Sequence, residues 1–233
     1  MTAKNTKNNS KVVALVPMRH TSERVPGKNY RSFAGKPLYH HIIDSLSECP
    51  LVSMIAIDTD SPLIRNDVKG HFPKVNLIDR PEHLRTGTTP MNDVLLHDVE
   101  QIDAEFFVQT HSTNPLLKTE TITRAIRHFY KNYPRFDSLF SVTRLQVRLW
   151  DSLNRAINHD PAILMRTQDL KPVFEENSCL YLFSRRGLQA NQNRIGAKPL
   201  MFEIDPVEAS DIDEELDFKL AEILYQEINQ NQE

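Results

Sequence analysis

Directly after Lys11 come five apolar residues, Val12, Val13, Ala14, Leu15 and Val16, that stop at Pro17 and open into a loop carrying Arg19, Arg24 and Lys28 within ten residues. A short β-branched run with no polar alternation is the pattern of a strand buried on both faces, as in parallel sheets. A parallel strand needs crossover connections, so this one run already argues for a wound α/β architecture. The loop after it lies at the strand's carboxyl end, the edge where open α/β sheets bind ligands. Three cations facing one crevice point to a polyphosphate.

The chain as a whole is not basic. Its 233 residues carry a net charge of -3, so no global field draws in nucleic acid, and phosphate binding must be local. With 39% hydrophobic residues the chain can bury one substantial core. Cys49 and Cys179 lie far apart without metal-type spacing, which argues against zinc or a disulfide framework and fits a reducing cytoplasm. Residues 1–10 are polar, lack the apolar segment of a secretory signal, and read as a disordered tail. No apolar stretch approaches the roughly 18 residues of a membrane span, so no membrane partner is expected and the chain reads as cytoplasmic.

Further along, short apolar runs alternate with amphipathic segments. Residues 52–58, 75–79, 106–110, 138–143, 179–184 and 200–204 read as strands. Residues 36–46, 91–102 and 119–130 read as helices, with Pro37 in a first turn and Thr119 as an N-cap. A short helix is expected near Arg186. A final helix from about residue 214 repeats Leu216, Leu220, Ile223 and Ile228 at helical spacing. In residues 146–177 the alternation blurs, as in an irregular insertion. Residues 11–233 otherwise read as a single domain.

The acidic segment Ser210-Asp211-Ile212-Asp213 places two carboxylates at i and i+2 of an extended stretch, so both point one way and can grip one hard cation. Acidic residues before a helix also favour its dipole, as Glu214 and Glu215 do. The dinucleotide pattern G-x-G-x-x-G and the P-loop G-x-x-x-x-G-K-[ST] are both absent, which disfavours those enzyme classes.

The opening loop, R-x-x-S-x-R-V-P-G-K-N from Arg19 to Asn29, resembles the nucleotide-binding loop of the sugar-activating cytidylyltransferases: the CMP-sialic acid synthetases (acylneuraminate cytidylyltransferases) and the related CMP-Kdo synthetases. Ser22, Arg24, Pro26, Gly27 and Lys28 resemble the Kdo-type loop, and Lys28-Asn29 the sialate-type ending. Four further segments follow in the family's order. Arg80-Pro81-Glu82-His83-Leu84 resembles its R-P-x-x-L turn, and His111-Ser112-Thr113-Asn114-Pro115-Leu116 its Q-P-T-S-P-L substrate loop. Arg166-Thr167-Gln168 and Asn177-Ser178 resemble elements flanking the sugar site, and residues 210–217 resemble S-[IV]-D-[IV]-D-x-x-x-D. The chain departs from the pattern at Glu23 (often lysine), Gly87 (aspartate) and His111 (glutamine, replaced by a group able to titrate near neutral pH).

The resemblance implies a Rossmann-like, mixed but mostly parallel sheet with helices on both faces, and an enzyme moving CMP from CTP to an acidic 2-keto sugar with release of pyrophosphate. It implies that Arg19, Ser22, Arg24, Lys28, Asn29 and Arg80 bind nucleotide, with Arg19 and Lys28 on the departing phosphates. Asp211 and Asp213 would hold magnesium, making Arg19, Lys28 and Asp211 the catalytic set. His111, Arg166, Gln168 and Asn177 would meet the sugar, Arg166 by reaching across a homodimer built on the insertion. A non-catalytic nucleotide-binding or interaction protein of the same fold, or a CMP-Kdo-type synthetase, are the competing readings.

Overall fold

The five-residue apolar run lies where its composition demands, in the middle of the sheet. The computed structural model describes residues 11–230, so the expected tail at residues 1–10 lies outside the described residues. The strands are β1 (Val12–Leu15), β2 (Ser32–Phe33), β3 (Lys36–Pro37), β4 (Val52–Thr59), β5 (Asn76–Asp79), β6 (Phe106–Thr110), β7 (Ser138–Leu145), β8 (Val173–Ser184) and β9 (Pro199–Glu203). Seven of them form one sheet in the order β5-β4-β1-β6-β8-β7-β9, while β2 and β3 pair as a small hairpin. β1 is parallel to both neighbours, β4 and β6, and β5 extends the parallel set. β8 inserts antiparallel between β6 and β7, and β9 is parallel to β7. The sheet is therefore mixed and mostly parallel, as expected.

Alternation along β1 divides its side chains between two cores. Val12, Ala14 and Val16 join the helices α1 (Leu38–Glu48), α2 (Pro62–His71) and α4 (Thr119–Asn132) on one face. Val13 and Leu15 join α3 (Met91–Glu100) and α5 (Arg185–Asn191) on the other. A third, smaller cluster joins the two ends of the chain. Val25 of the cationic loop, Phe33 of β2, Leu38, Ile212 between the two acids, and Phe218 and Ala221 of α6 (Glu215–Gln230) are buried together. Phe33 packs edge-on to Phe218 at 5.5 Å, and the Arg31 guanidinium lies 4.3 Å from the centre of the same Phe218 ring.

Several local expectations are corrected. Pro37 ends β3 and caps α1 instead of sitting inside the helix, because its ψ of 139° is extended. Lys118, not Thr119, occupies the cap position of α4; the Thr119 hydroxyl instead donates to the Ser45 carbonyl at 2.9 Å, tying α4 to α1. Helix α2 forms where none is expected from the sequence pattern: Ser61 accepts from the Ile64 N–H and Pro62 starts the first turn, a sound capping signature. β8 starts at Val173, inside the expected insertion, and the remainder holds turns, a Trp150–Ala156 bridge and one 3-10 turn, Thr167–Asp169. The final helix forms, but Leu216, Leu220 and Ile223 are all at least half exposed. Its inward face is Phe218 and Ala221, with Tyr225 beside them, because the aromatic ring has Phe33 to pack against.

Phe218→Ala is expected to cost about 3–5 kcal/mol, the range for truncating a buried phenylalanine. Urea unfolding measures it; a loss under about 1 kcal/mol would show that the third cluster does not hold α6 to the body.

Candidate functional site

At the carboxyl ends of the parallel strands a cavity of about 570 Å³ opens. Three loops of the parallel layer wall it: residues 17–29 after β1, residues 80–91 after β5, and residues 111–113 after β6. Asp211, Asp213, Ser178 and Arg194 close the far side.

The first loop leaves the sheet at Pro17 but stays tethered, since Met18 N–H donates to the Asp58 carbonyl at 2.8 Å. Its two ends are clasped by Asn29, whose amide donates to the Arg19 carbonyl at 2.9 Å and whose oxygen accepts from Ser112 at 2.7 Å. Gly27 makes the turn at φ 68°, and a Cβ there would fall 2.9 Å from the Tyr30 ring. Val25 anchors the middle of the loop in the third cluster. The result presents Arg19, Ser22, Arg24, Lys28 and Asn29 to the cavity.

The acidic segment meets the loop from the other end of the chain. Ile212 is fully buried, its N–H donating to the Thr113 carbonyl at 3.0 Å, so the extended backbone turns Asp211 and Asp213 together toward the cavity. The Lys28 ammonium donates to the Ile212 carbonyl and lies 3.7 Å from Asp213. Arg24 pairs with Asp213 at 2.7 Å and with Glu214 at 3.5 Å. Burial holds Lys28 below the ordinary lysine pKa, against the pull of Asp213 and Asp211. Burial likewise raises Asp211, against its hydrogen bond from Thr113. The Arg24–Asp213 pair is half exposed on both sides, a class contributing about 0–1 kcal/mol, so phosphate or a cation can displace it cheaply.

Asp211 and Asp213 belong to no cluster of three potential ligands among the described residues. Two hard carboxylate donors on a solvent-accessible wall fit magnesium, which takes one or two carboxylates and keeps waters or substrate phosphates in its other positions.

Arg80 lines the cavity but is 3% exposed, its Nε donating to Asp58 at the end of β4. Asp98 of α3 is buried against Asp58, and burial followed by the Asp58 charge pushes its pKa up to about 9. Asp98 is thus a neutral acid at pH 7, and one carboxylate faces one guanidinium. His97 Nδ1 stands 3.3 Å from Asp98.

His111 is neutral too, which corrects the expectation that it titrates near neutral pH. Burial, then the charges of Arg194 and Lys28, lower its pKa to about 3. Its tautomer follows from its neighbours: Arg194 donates to Gln109 Oε1 at 2.6 Å, so the Gln109 amide nitrogen faces His111 Nε2 at 3.0 Å. Nε2 must then accept, leaving the proton on Nδ1.

Arg194 is a cavity residue that no sequence motif marks. Its guanidinium lies 3.6 Å from the centre of the Tyr181 ring and lines the cavity, yet Asn193-Arg194-Ile195-Gly196 carries no local motif. Ser178, held at φ 58°, and Thr113 also line the cavity; both lie in segments matched to the family pattern, although neither is singled out there as a site residue. Gly87, where the family pattern has aspartate, sits beside Arg19: a Cβ there would come within 3.2 Å of both Arg19 Nη1 and Glu23 Oε1. Three predicted residues lie off the cavity within this chain. Arg166 chelates Asp169 at 2.7 and 3.1 Å on the surface, and Gln168 is exposed in the 3-10 turn. Asn177 stitches β8 to β7 through Ser141 at 2.6 Å and Thr143 at 2.9 Å.

The chain is similar to known proteins over part or nearly all of its length. The chain is 29% identical over 235 residues to the CMP-N,N'-diacetyllegionaminic acid synthase of Legionella pneumophila, covering 94% of this chain and 98% of that one. It is 31% identical over 121 residues to the 3-deoxy-manno-octulosonate cytidylyltransferase of Geobacter sulfurreducens, covering 52% of this chain and 46% of that one. It is 24% identical over 218 residues to N-acylneuraminate cytidylyltransferase A of Danio rerio, covering 91% and 50%. The chain therefore spans about half the length of the last two relatives and nearly all of the first. Among solved structures, CMP:2-keto-3-deoxy-manno-octonic acid synthetase complexed with CTP shares the fold at a TM-score of 0.68 and 15% identity, covering 93% and 99%. The 4-diphosphocytidyl-2C-methyl-D-erythritol synthase of Anaerococcus prevotii does so at 0.70 and 12%, covering 96% and 100%. A family model described as cytidylyltransferase matches residues 13–230, and with it this chain belongs to the cytidylyltransferase family.

Proposed function

We propose that the chain transfers CMP from CTP to the anomeric hydroxyl of an acidic, sialic-acid-like 2-keto sugar and releases pyrophosphate. One observation supports this reading above the others: Arg19, Arg24 and Lys28 share a single cavity with Asp211 and Asp213, though some 190 positions separate the two groups in sequence. The near full-length likeness to a CMP-legionaminic acid synthase supports a nine-carbon acidic sugar. The partial likeness to 3-deoxy-manno-octulosonate cytidylyltransferase supports the eight-carbon alternative. Pyrophosphate release from CTP and magnesium, assayed with sialic, legionaminic and Kdo-type sugars in parallel, separates them. No release with any of them favours a non-catalytic nucleotide binder.

Phosphoryl-type transfer leaves little covalent chemistry to the protein, which must align reactants and neutralise growing charge. Arg19 and Lys28 take the departing phosphates, Arg24 leaves Asp213 for the triphosphate, and Asn29 keeps the loop closed around it. Asp211 and Asp213 would hold magnesium, whose chemistry is to neutralise phosphate oxygens and acidify the attacking hydroxyl. Neutral His111 offers an Nδ1–H to the sugar side, and Arg194 offers a cation to its carboxylate. Arg80, braced by Asp58 and protonated Asp98, supports the base end.

A homodimer and a cytoplasmic location form part of the same proposal. Leu153, Ile157 and Leu164 of the insertion are between 58% and 93% exposed, as expected of an interface half. Dimerisation would give Arg166 a neighbouring site to reach. Both cysteines are free and buried, which suits a reducing compartment, and no helix among the described residues is long and apolar enough to cross a membrane.

Lys28→Ala and Asp211→Ala are each expected to lower kcat about 10²- to 10³-fold, by analogy with removing one pre-aligned charge from a water-excluded site. Steady-state pyrophosphate release measures it, with circular dichroism to show an intact fold; near-normal turnover in both variants rejects the assigned roles.

Asp98 gives a pH signature of definite sign. Burial and the Asp58 charge hold its native pKa well above the ordinary carboxylate value, so as pH rises past about 4 the folded state keeps a proton that the unfolded chain releases. Stability then falls as pH rises, by up to about 1.4 kcal/mol per unit. Asp98→Asn mimics the neutral acid and is expected to remove that slope and to be more stable than wild type at pH 8. Equal slopes in urea unfolding would mean that Asp98 is ionised in the native state.

A further inference from the structure

Away from the cavity, α1 and α2 bring two imidazoles onto one carboxylate. His40 Nε2 lies 2.6 Å from Asp67 Oδ2, and His71 Nδ1 lies 2.9 Å from Asp67 Oδ1. One donor atom from each residue falls within 4.8 Å of the others, and the two imidazole centroids are 5.3 Å apart. None of the three lines the nucleotide cavity.

The arrangement has the attributes of a ligand set. Asp67 and His71 stand at i and i+4, which stacks their side chains on one face of α2, and His40 comes from a different helix, so a bound ion would link two elements. The Tyr39 hydroxyl donates to Asp67 Oδ2, supplying the outer hydrogen bond that orients a ligating carboxylate. Three donors converge on that carboxylate, which favours its ionised form. His40 is buried while His71 is exposed, so the cluster is rigid on one side and open to solvent on the other. Bonds of about 2.0–2.1 Å to zinc place tetrahedral ligand atoms about 3.3 Å apart, a small spreading from the present contacts.

We propose that His40, Asp67 and His71 form a binding site for a zinc-class divalent cation, with the fourth position open to water, that clamps α1 to α2. Two imidazoles with one carboxylate suit zinc or cobalt, whereas magnesium and calcium prefer oxygen donors throughout. Coordination replaces the imidazole–carboxylate hydrogen bonds and releases any proton that the cluster holds on the ligating atoms. The inference is independent of the catalytic reading, because the site shares no residue with it.

The test is titration of the full chain, free of nucleotide, with zinc chloride by calorimetry at pH 7.5 and with cobalt by visible absorption. The expected result is one saturable equivalent of zinc, four-coordinate cobalt bands, and a zinc-dependent rise in Tm. His71→Ala, a surface change, is expected to weaken binding at least about tenfold and to abolish the Tm shift. His40→Gln does the same while circular dichroism stays native, and His128→Ala, on exposed α4 surface, keeps full affinity. Asp211→Asn separates this site from the catalytic acids and also keeps the equivalent. No saturable binding to wild type, unchanged binding in His71→Ala and His40→Gln, or loss of the equivalent in Asp211→Asn would each overturn the proposal.

Discussion

Everything in the cavity rests on a small apolar contact at its back: Val25, Phe33 and Leu38 from the start of the chain against Ile212, Phe218 and Ala221 from its end. The half-exposed ion pairs in front of it contribute about 0–1 kcal/mol each and could not by themselves hold two loops in register. Fully burying a side chain of valine to phenylalanine size contributes about 1.5–3 kcal/mol, and several are buried here. The hydrophobic contact therefore sets the distance between cations and acids. The charges remain free to exchange partners, as a site that must take up and release a polyanion requires.

The resting cavity is close to electrically balanced by the same logic. Asp213 faces Arg24 and Lys28, His111 is held neutral by burial beside two cations, and Asp98 keeps its proton so that Asp58 alone answers Arg80. Such compensation lets buried polar groups persist without unpaired charge. It also leaves Lys28 and Asp211 poised, each shifted by burial toward its neutral form and each restored by an incoming group of opposite charge.

How much of this is legible in the sequence depends on how local the physics is. The buried strand, the cationic loop and the paired acids are readable because each rests on neighbouring residues: an apolar run, a turn glycine, an i, i+2 alternation. The face of α6 is not, because choosing Phe218 over the Leu216–Leu220–Ile223 stripe depends on Phe33, about 185 positions away. Arg194 carries no motif and enters the cavity only through the loop after α5, while the Asn177-Ser178 element is legible but which of its two side chains faces the cavity is decided by the antiparallel placement of β8 beside β6. His111 can be placed from its motif, but its titration cannot, since burial and two distant cations decide it. Helix α2 is different: its Ser61-Pro62 start is a local signal that the sequence does carry.

At the heart of the proposed function, a cytidine triphosphate is cradled between the cationic loop and the two acids. A crystal structure with CTP and manganese decides the matter. The expected map has an anomalous peak between Asp211 and Asp213 and a triphosphate against Arg19 and Lys28. Nucleotide bound elsewhere on the molecule, or a metal peak remote from both aspartates, would refute it.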